Sequence, residues 1–112
     1  MKKTLVILFI ITLTLGVTGC DEKDELKTIL KEKNYTIVDV RTEEEYNEGH
    51  VKKAINIPYD TINKKTSLNK NKTILVYCQS GKRSSIAYNI LKKLGYDVYD
   101  LGAYNTIKLD KE

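Results

Sequence analysis

Two hydrophobic periods alternate along most of the chain. From Asp24 to Lys33, Leu26, Ile29 and Leu30 stand at helical spacing with charges between them, and Asn34 ends the segment, which predicts one amphipathic helix. Thr36 to Val40 is a short β-branched run of the kind that forms a buried strand. Thr42 with Glu45 three residues on fits a capping box, opening a second helix that stops at Gly49. Ala54 to Ile57 is apolar and ends at Pro58, predicting a second short strand. Tyr59 to Lys72 is rich in Asn and Lys and poorly periodic, so a loop with at most one weak helical turn is expected. Thr73 to Tyr77 is the clearest strand. Ser84 to Leu94 is the clearest helix, with Ile86, Ala87, Ile90, Leu91 and Leu94 on one face and Gly95 at its end. Tyr96 to Leu101 reads as a last strand. Strands alternating with helices predict an α/β fold, a mainly parallel sheet with helices on both faces and sites at the carboxyl ends of the strands.

The amino terminus follows a different pattern. Lys2 and Lys3 precede the apolar run Leu5 to Leu15, interrupted by Thr12 and Thr14, and the segment closes on Val17-Thr18-Gly19-Cys20. This is the outline of a signal peptide. A helix over Leu5 to Thr18 would rise only about 21 Å, short of the roughly 30 Å hydrocarbon core. The last four residues resemble the bacterial lipobox, in which small residues precede a cysteine that is lipidated on sulfur and becomes the new amino terminus. That resemblance implies a lipoprotein signal peptide over 1–19, a lipid-anchored tether over 20–24 and a folded domain over 25–112. The domain would then sit on the extracytoplasmic face of the cell membrane, held by a lipid on Cys20. An uncleaved anchor and a plain secretory signal are the alternatives, and both also face the domain outward.

Composition narrows the partners more than the activity. At 112 residues the chain has room for one domain beside its leader. Removal of the leader takes Lys2 and Lys3, leaving seventeen basic residues against fifteen acidic ones, a net charge near +2. That is too mild for a nucleic-acid binder. Cys20 and Cys78 stand far apart in unlike contexts and read as two unrelated chemistries, not a disulfide. With one histidine, His50, and one available thiol, no metal site is expected, and no cofactor.

The chemistry concentrates between the strand at 73–77 and the helix at 84–94, in Cys78-Gln79-Ser80-Gly81-Lys82-Arg83. A cysteine there sits at the end of a buried strand and just ahead of a helix amino terminus, whose free N–H groups and dipole favour a thiolate. Gly81 lets successive backbone N–H groups turn inward as an anion-binding nest. Lys82 and Arg83 add positive charge at the rim, so an anionic substrate is expected. The plainer alternative is a structural cysteine in a tight turn.

Val38-Asp39-Val40-Arg41, then Glu44-Glu45-Tyr46, Gly49-His50-Val51, Ala54-Ile55-Asn56-Ile57-Pro58 and Tyr77-Cys78-Gln79-Ser80-Gly81-Lys82-Arg83-Ser84 together resemble a single-domain rhodanese. The likeness spans about residues 25 to 105. It implies a small rhodanese-like sheet of four or five strands and a sulfurtransferase activity. In that activity Cys78 takes the outer sulfur of an anionic donor such as thiosulfate, holds it as a persulfide and passes it to a thiol or cyanide acceptor. By the same resemblance the amides of Gln79, Ser80, Gly81, Lys82 and Arg83 cradle the persulfide and departing sulfite. Arg83 and Lys82 would hold the anion, and Ser80 would offer its hydroxyl. Phosphatases of related design keep five residues between cysteine and arginine, whereas this loop has four. The shorter ring resembles the sulfur-transfer members; a phosphatase or arsenate reductase, and a noncatalytic persulfide or anion carrier, are the other readings.

Asp39 and Arg41 follow a strand end and so lie on the edge that carries Cys78, in a supporting role as an ion pair or loop brace. Glu45 is a partner for Arg41 or Arg83. His50 matches a structural motif and is left out of the site. The chain departs from the family pattern in three places. Too few residues precede the first helix to supply an opening strand, Lys53 stands where glycine is common, and Gly102-Ala103 with Ile107 replaces a Gly-Gly pattern followed by an aromatic.

Overall fold

The structure, a computed structural model, describes residues 21–112, so the expected leader and Cys20 lie outside the described residues. The chain divides into a unit that ends at Glu32 and a second unit, Lys33–Glu112. The first holds helix α1 (Asp21–Glu32), which begins three residues ahead of the periodic segment. Its Thr28 hydroxyl donates to the Asp24 carbonyl at 3.0 Å.

The second unit runs β1 (Tyr35–Asp39), α2 (Glu43–Glu48), β2 (Ile55–Asn56), β3 (Thr73–Cys78), α3 (Lys82–Lys93) and β4 (Val98–Ala103), with single 3-10 turns at Tyr59–Thr61 and Tyr104–Thr106. All strand pairs are parallel, in the order β2-β1-β3-β4, so the described residues form four strands. β1 and β3 pair in register from Tyr35 opposite Thr73 to Asp39 opposite Tyr77. All six residues of β3 are buried, as its continuous apolar run requires of a central parallel strand.

The two-residue period of the strands sorts these side chains onto two faces. Val38 and Val40 of the β1 segment and Ile74, Val76 and Cys78 of β3 share one face and join Ala87 and Leu91 of α3 in the core. Asp39 and Tyr77 stand on the other. The segment between β2 and β3 also contributes, since Ile62 is buried in the core with Leu68 packed against it. There the Leu68 N–H donates to the Tyr96 hydroxyl at 3.3 Å, and that hydroxyl donates to the Thr66 carbonyl at 3.1 Å.

One expected core position is wrong. Ile86 is 42% exposed, and the fully buried stripe of α3 is Ser84, Ala87 and Leu91. Small side chains at Ser84 and Ala87 let the helix lie close on β3 and β4, and Ile86, about 100° round the helix from Ala87, is turned out. The two positions should separate in urea unfolding. Leu91→Ala is expected to cost about 2 to 5 kcal/mol, whereas Ile86→Ala should stay within roughly 0.5 kcal/mol of wild type.

Candidate active site

The Cys78 loop forms at the carboxyl end of the sheet because β3 stops there and α3 starts four residues later. Gly81 is the N-cap of α3 and takes φ 97°, a left-handed conformation. A Cβ at Gly81 would meet only ordinary contacts at 3.8 Å, so backbone conformation rather than space asks for glycine. That turn aims two backbone N–H groups at the sulfur. Gly81 N–H donates to Cys78 Sγ at 3.0 Å and Ser84 N–H at 3.2 Å, while the Ser84 hydroxyl donates to the Gly81 carbonyl at 3.1 Å. Donors of this kind, backed by the α3 dipole, stabilise negative charge on sulfur. Cys78 is fully buried, at the floor of the loop.

The expected site residues fall into two groups. Gln79, Ser80 and Lys82 are exposed around the loop. The Lys82 N–H reaches the Ser80 hydroxyl only at 3.5 Å. Arg83 is already engaged: its guanidinium grips Glu45 through two hydrogen bonds of 2.8 and 3.0 Å. Of the two arginines that Glu45 could serve, it takes Arg83. The same carboxylate closes the capping box of α2, accepting from the Thr42 N–H at 3.0 Å and its hydroxyl at 3.1 Å. The Arg83 hydrogen bond above all holds the Glu45 carboxyl at about 2, against an ordinary 4.5.

Behind the loop lies a buried network. Asp39 is fully buried and Arg41 is 3% exposed. Arg41 donates to Asp39 through Nε at 3.0 Å and Nη2 at 2.6 Å, to the Gly49 carbonyl through Nη2 at 2.6 Å, and to Gln79 Oε1 through Nη1 at 3.0 Å. The Tyr104 ring lies 4.4 Å from its guanidinium carbon. The Tyr77 hydroxyl donates to Asp39 at 2.7 Å and accepts from the Val51 N–H at 3.0 Å. Burial pushes the Tyr77 phenol above its usual range, so it stays protonated and keeps donating. Arg41 thus acts as a brace on the first residue of the loop.

His50 is held structurally. Its ring stacks on Tyr46 with centroids 3.8 Å apart, Nδ1 lies 2.9 Å from the Tyr46 carbonyl, and Nε2 lies 3.5 Å from Glu112. No metal-binding cluster occurs among the described residues, and no helix among them is long and apolar enough to cross a membrane. A cleft of about 440 Å³ adjoins the loop, lined by Arg41, Glu45, Glu48, Gln79, Tyr104 and Asn105 among others. Sequence reasoning missed Ser84, Tyr77 and Tyr104. Ser84 had a local signal, since a helix capped at Gly81 leaves the N–H three residues on without a partner; the two tyrosines had none.

A parallel α/β sheet that carries, at the mouth of a helix, the one buried thiol of the described residues beneath converging N–H groups defines a cysteine-centred loop. The family follows: the chain belongs to the rhodanese-like domain family, whose model matches residues 22–108. It is 37% identical over 78 residues to the thiosulfate sulfurtransferase PspE of Escherichia coli, covering 66% of this chain and 75% of that one. It is 36% identical over 66 residues to the putative sulfur carrier protein YrkF of Bacillus subtilis, covering 58% of this chain and 36% of that one. The solved structure of a rhodanese with anions from E. coli superimposes with TM-score 0.63 at 36% identity, covering 70% of this chain and 96% of that one. The chain spans only 18% of another relative, a probable molybdopterin-synthase adenylyltransferase of Porphyra purpurea.

Two outcomes test the site's architecture. Asp39→Ala leaves the Arg41 charge buried without its counter-ion and should lower unfolding free energy by about 3 to 5 kcal/mol in chemical denaturation. Glu45→Gln keeps a capping acceptor and removes the charge. Because the carboxyl is depressed in the folded state, its contribution is complete above pH 4.5 and lost as pH falls toward about 2. The stability gap between wild type and Glu45→Gln should therefore be constant at neutral pH and close through that acid window.

Proposed function

We propose that the protein is a sulfurtransferase that moves sulfane sulfur from an anionic donor such as thiosulfate to a thiol or cyanide acceptor, working outside the cell membrane from a lipid anchor on Cys20. The observation that carries the chemistry is the pair of N–H groups, from Gly81 and Ser84, that meet at Cys78 Sγ. The Cys78 thiolate attacks the outer sulfur of thiosulfate. The sulfur–sulfur bond of the donor breaks, sulfite leaves with the bonding electron pair, and Cys78 carries a persulfide. An acceptor thiolate or cyanide then attacks the terminal sulfur and returns the electron pair to Cys78 as a thiolate. The four residues between Cys78 and Arg83 form a ring suited to one added sulfur atom.

Within this reading the loop amides hold the developing charge, and Lys82 draws the donor in. Arg83 binds the anion only by sharing or releasing Glu45. Cys78 is the free cysteine of the described residues, so sulfur it accepts leaves to a separate acceptor molecule. A second reading, a sulfur carrier for a partner protein, is favoured by the full burial of Cys78, which shelters a persulfide better than it admits a large substrate.

With thiosulfate and cyanide, the full-length protein should form thiocyanate, and Cys78→Ser should fall to background. After thiosulfate alone, the intact mass should rise by one sulfur atom in wild type only. Sulfur loading without thiocyanate release would establish the carrier, and neither loading nor turnover with any sulfane donor would defeat the sulfur-transfer proposal.

A further inference from the structure

Arg83 is the guanidinium best placed to meet an anion held at Cys78, and it is already occupied. It directly precedes Ser84, whose N–H lies 3.2 Å from Cys78 Sγ. The Arg83 charge is favoured first by its hydrogen bonds to Glu45 and in smaller part by negative charge on Cys78, which puts the guanidinium within electrostatic reach of the sulfur. Arg41, the other arginine of this edge, is 3% exposed and committed to Asp39, the Gly49 carbonyl and Gln79. An oxyanion arriving at the loop therefore has one guanidinium fork to bind, and finds a carboxylate in it.

That carboxylate cannot simply swing aside. Glu45 Oε1 accepts from Arg83 Nη1 at 2.8 Å, from the Thr42 N–H at 3.0 Å and from the Thr42 hydroxyl at 3.1 Å, while Oε2 accepts from Arg83 Nη2 at 3.0 Å. It is pinned from α2 by the capping box and from α3 by the guanidinium. A donor's oxyanion must compete with a ligand that the fold keeps in place, at the high effective concentration of an intramolecular partner. The side chains of Arg83 and Glu45 are 27% and 30% exposed, so solvent weakens the pair and a concentrated anion can still displace it. The cleft beside the loop does not compensate, since Glu45 and Glu48 line it and its one lining cation is the committed Arg41. Lys82 is exposed on the loop, and Lys111 Nζ lies 4.8 Å from the Tyr104 ring, but an ammonium is a point charge and does not offer the two-pronged fork that matches an oxyanion.

We infer that Glu45 is the donor-selecting residue of this site: its carboxylate fills the Arg83 fork that the oxyanion end of thiosulfate needs, so the loop takes sulfane sulfur from a thiol persulfide, R–S–SH, in preference to thiosulfate. The inference rests on the sulfur-transfer reading above and ranks the donors within it. With a persulfide, the Cys78 thiolate attacks the terminal sulfur, the sulfur–sulfur bond of the donor breaks, and R–S leaves as a thiolate with the bonding pair. Cys78 is left as Cys78–S–SH, carrying the proton of the donor. No oxyanion is released in that step, so Arg83 can stay with Glu45 throughout. With thiosulfate the same attack releases sulfite, whose charge Arg83 can meet only by giving up Glu45.

Glu45→Gln, which keeps an acceptor for the capping box and removes the charge, tests this in the full-length protein. Sulfur loading of Cys78, read as intact mass, should be faster in wild type from β-mercaptoethanol persulfide than from thiosulfate at equal concentration. Glu45→Gln should lower the KM for thiosulfate several-fold with a smaller change in kcat, and leave loading from the persulfide unchanged; a merely structural Glu45 would not improve one donor alone. On a Cys78→Ser background, where nothing turns over, calorimetry should show thiosulfate binding several-fold tighter with Glu45→Gln, and adding Arg83→Gln should abolish that gain. An unchanged or raised KM, an equal gain with both donors, a gain that survives Arg83→Gln, or no measurable thiosulfate binding in the Glu45→Gln protein each overturns the inference. Failure of the sulfur-transfer reading looks different: wild type loads from neither donor, while the binding contrast on the Cys78→Ser background still decides whether Glu45 holds anions off Arg83.

Discussion

The buried pair of Asp39 and Arg41 is the point on which the carboxyl edge of the sheet depends. Ions taken out of water are stabilising only if every remaining donor and acceptor is met, and no buried side-chain polar atom among the described residues lacks a partner. Meeting them ties distant parts of the chain together. Arg41 holds the carbonyl of Gly49 and the side chain of Gln79, and Asp39 takes the hydroxyl of Tyr77, which in turn receives the N–H of Val51. The turn after α2, the end of β3 and Gln79 of the Cys78 loop are thus referred to one ion pair. The parallel register that sets Asp39 opposite Tyr77 makes this possible.

That brace leaves the loop itself to backbone chemistry. Both formal cations with the best geometry to meet an anion are committed, Arg41 to Asp39 and Arg83 to Glu45. What remains around the sulfur is the pair of N–H groups from Gly81 and Ser84, the amino end of α3 and the exposed Lys82. Backbone donors are rigid and need no reorganisation when charge develops, which is where electrostatic stabilisation is most effective. Any anion would reach Arg83 only in competition with a carboxylate already bound through two hydrogen bonds.

Much of this was legible before any coordinates. The run Thr73 to Tyr77 and the Thr42–Glu45 capping box appear where the local pattern put them, the helix expected over Ser84 to Leu94 appears at Lys82–Lys93, and the one weak turn expected within Tyr59 to Lys72 appears at Tyr59–Thr61, because each depends on residues no more than a few positions apart. The Cys78 loop was legible for the same reason: Cys78 to Arg83 is contiguous, and a strand end followed by a glycine and a helix start permits few geometries. The Ile86 error arose where local pattern stops. An apolar residue at helical spacing belongs to the core only if another element covers it, and here the sheet covers the stripe through Ala87 and Leu91 instead.

The sequence by itself determined the order of elements, the parallel α/β class, the rhodanese-like motif and the position of Cys78 in its loop. The tertiary structure alone decided what surrounds that thiol: that Ser84 supplies the second N–H, that Glu45 takes Arg83 and not Arg41, and that Arg41 braces Gln79 instead of binding an anion. The reason is distance along the chain. Glu45 and Arg83, like Arg41 and Gln79, are separated by thirty-eight residues, and their pairing depends on strand register and side-chain rotamers that no local period encodes.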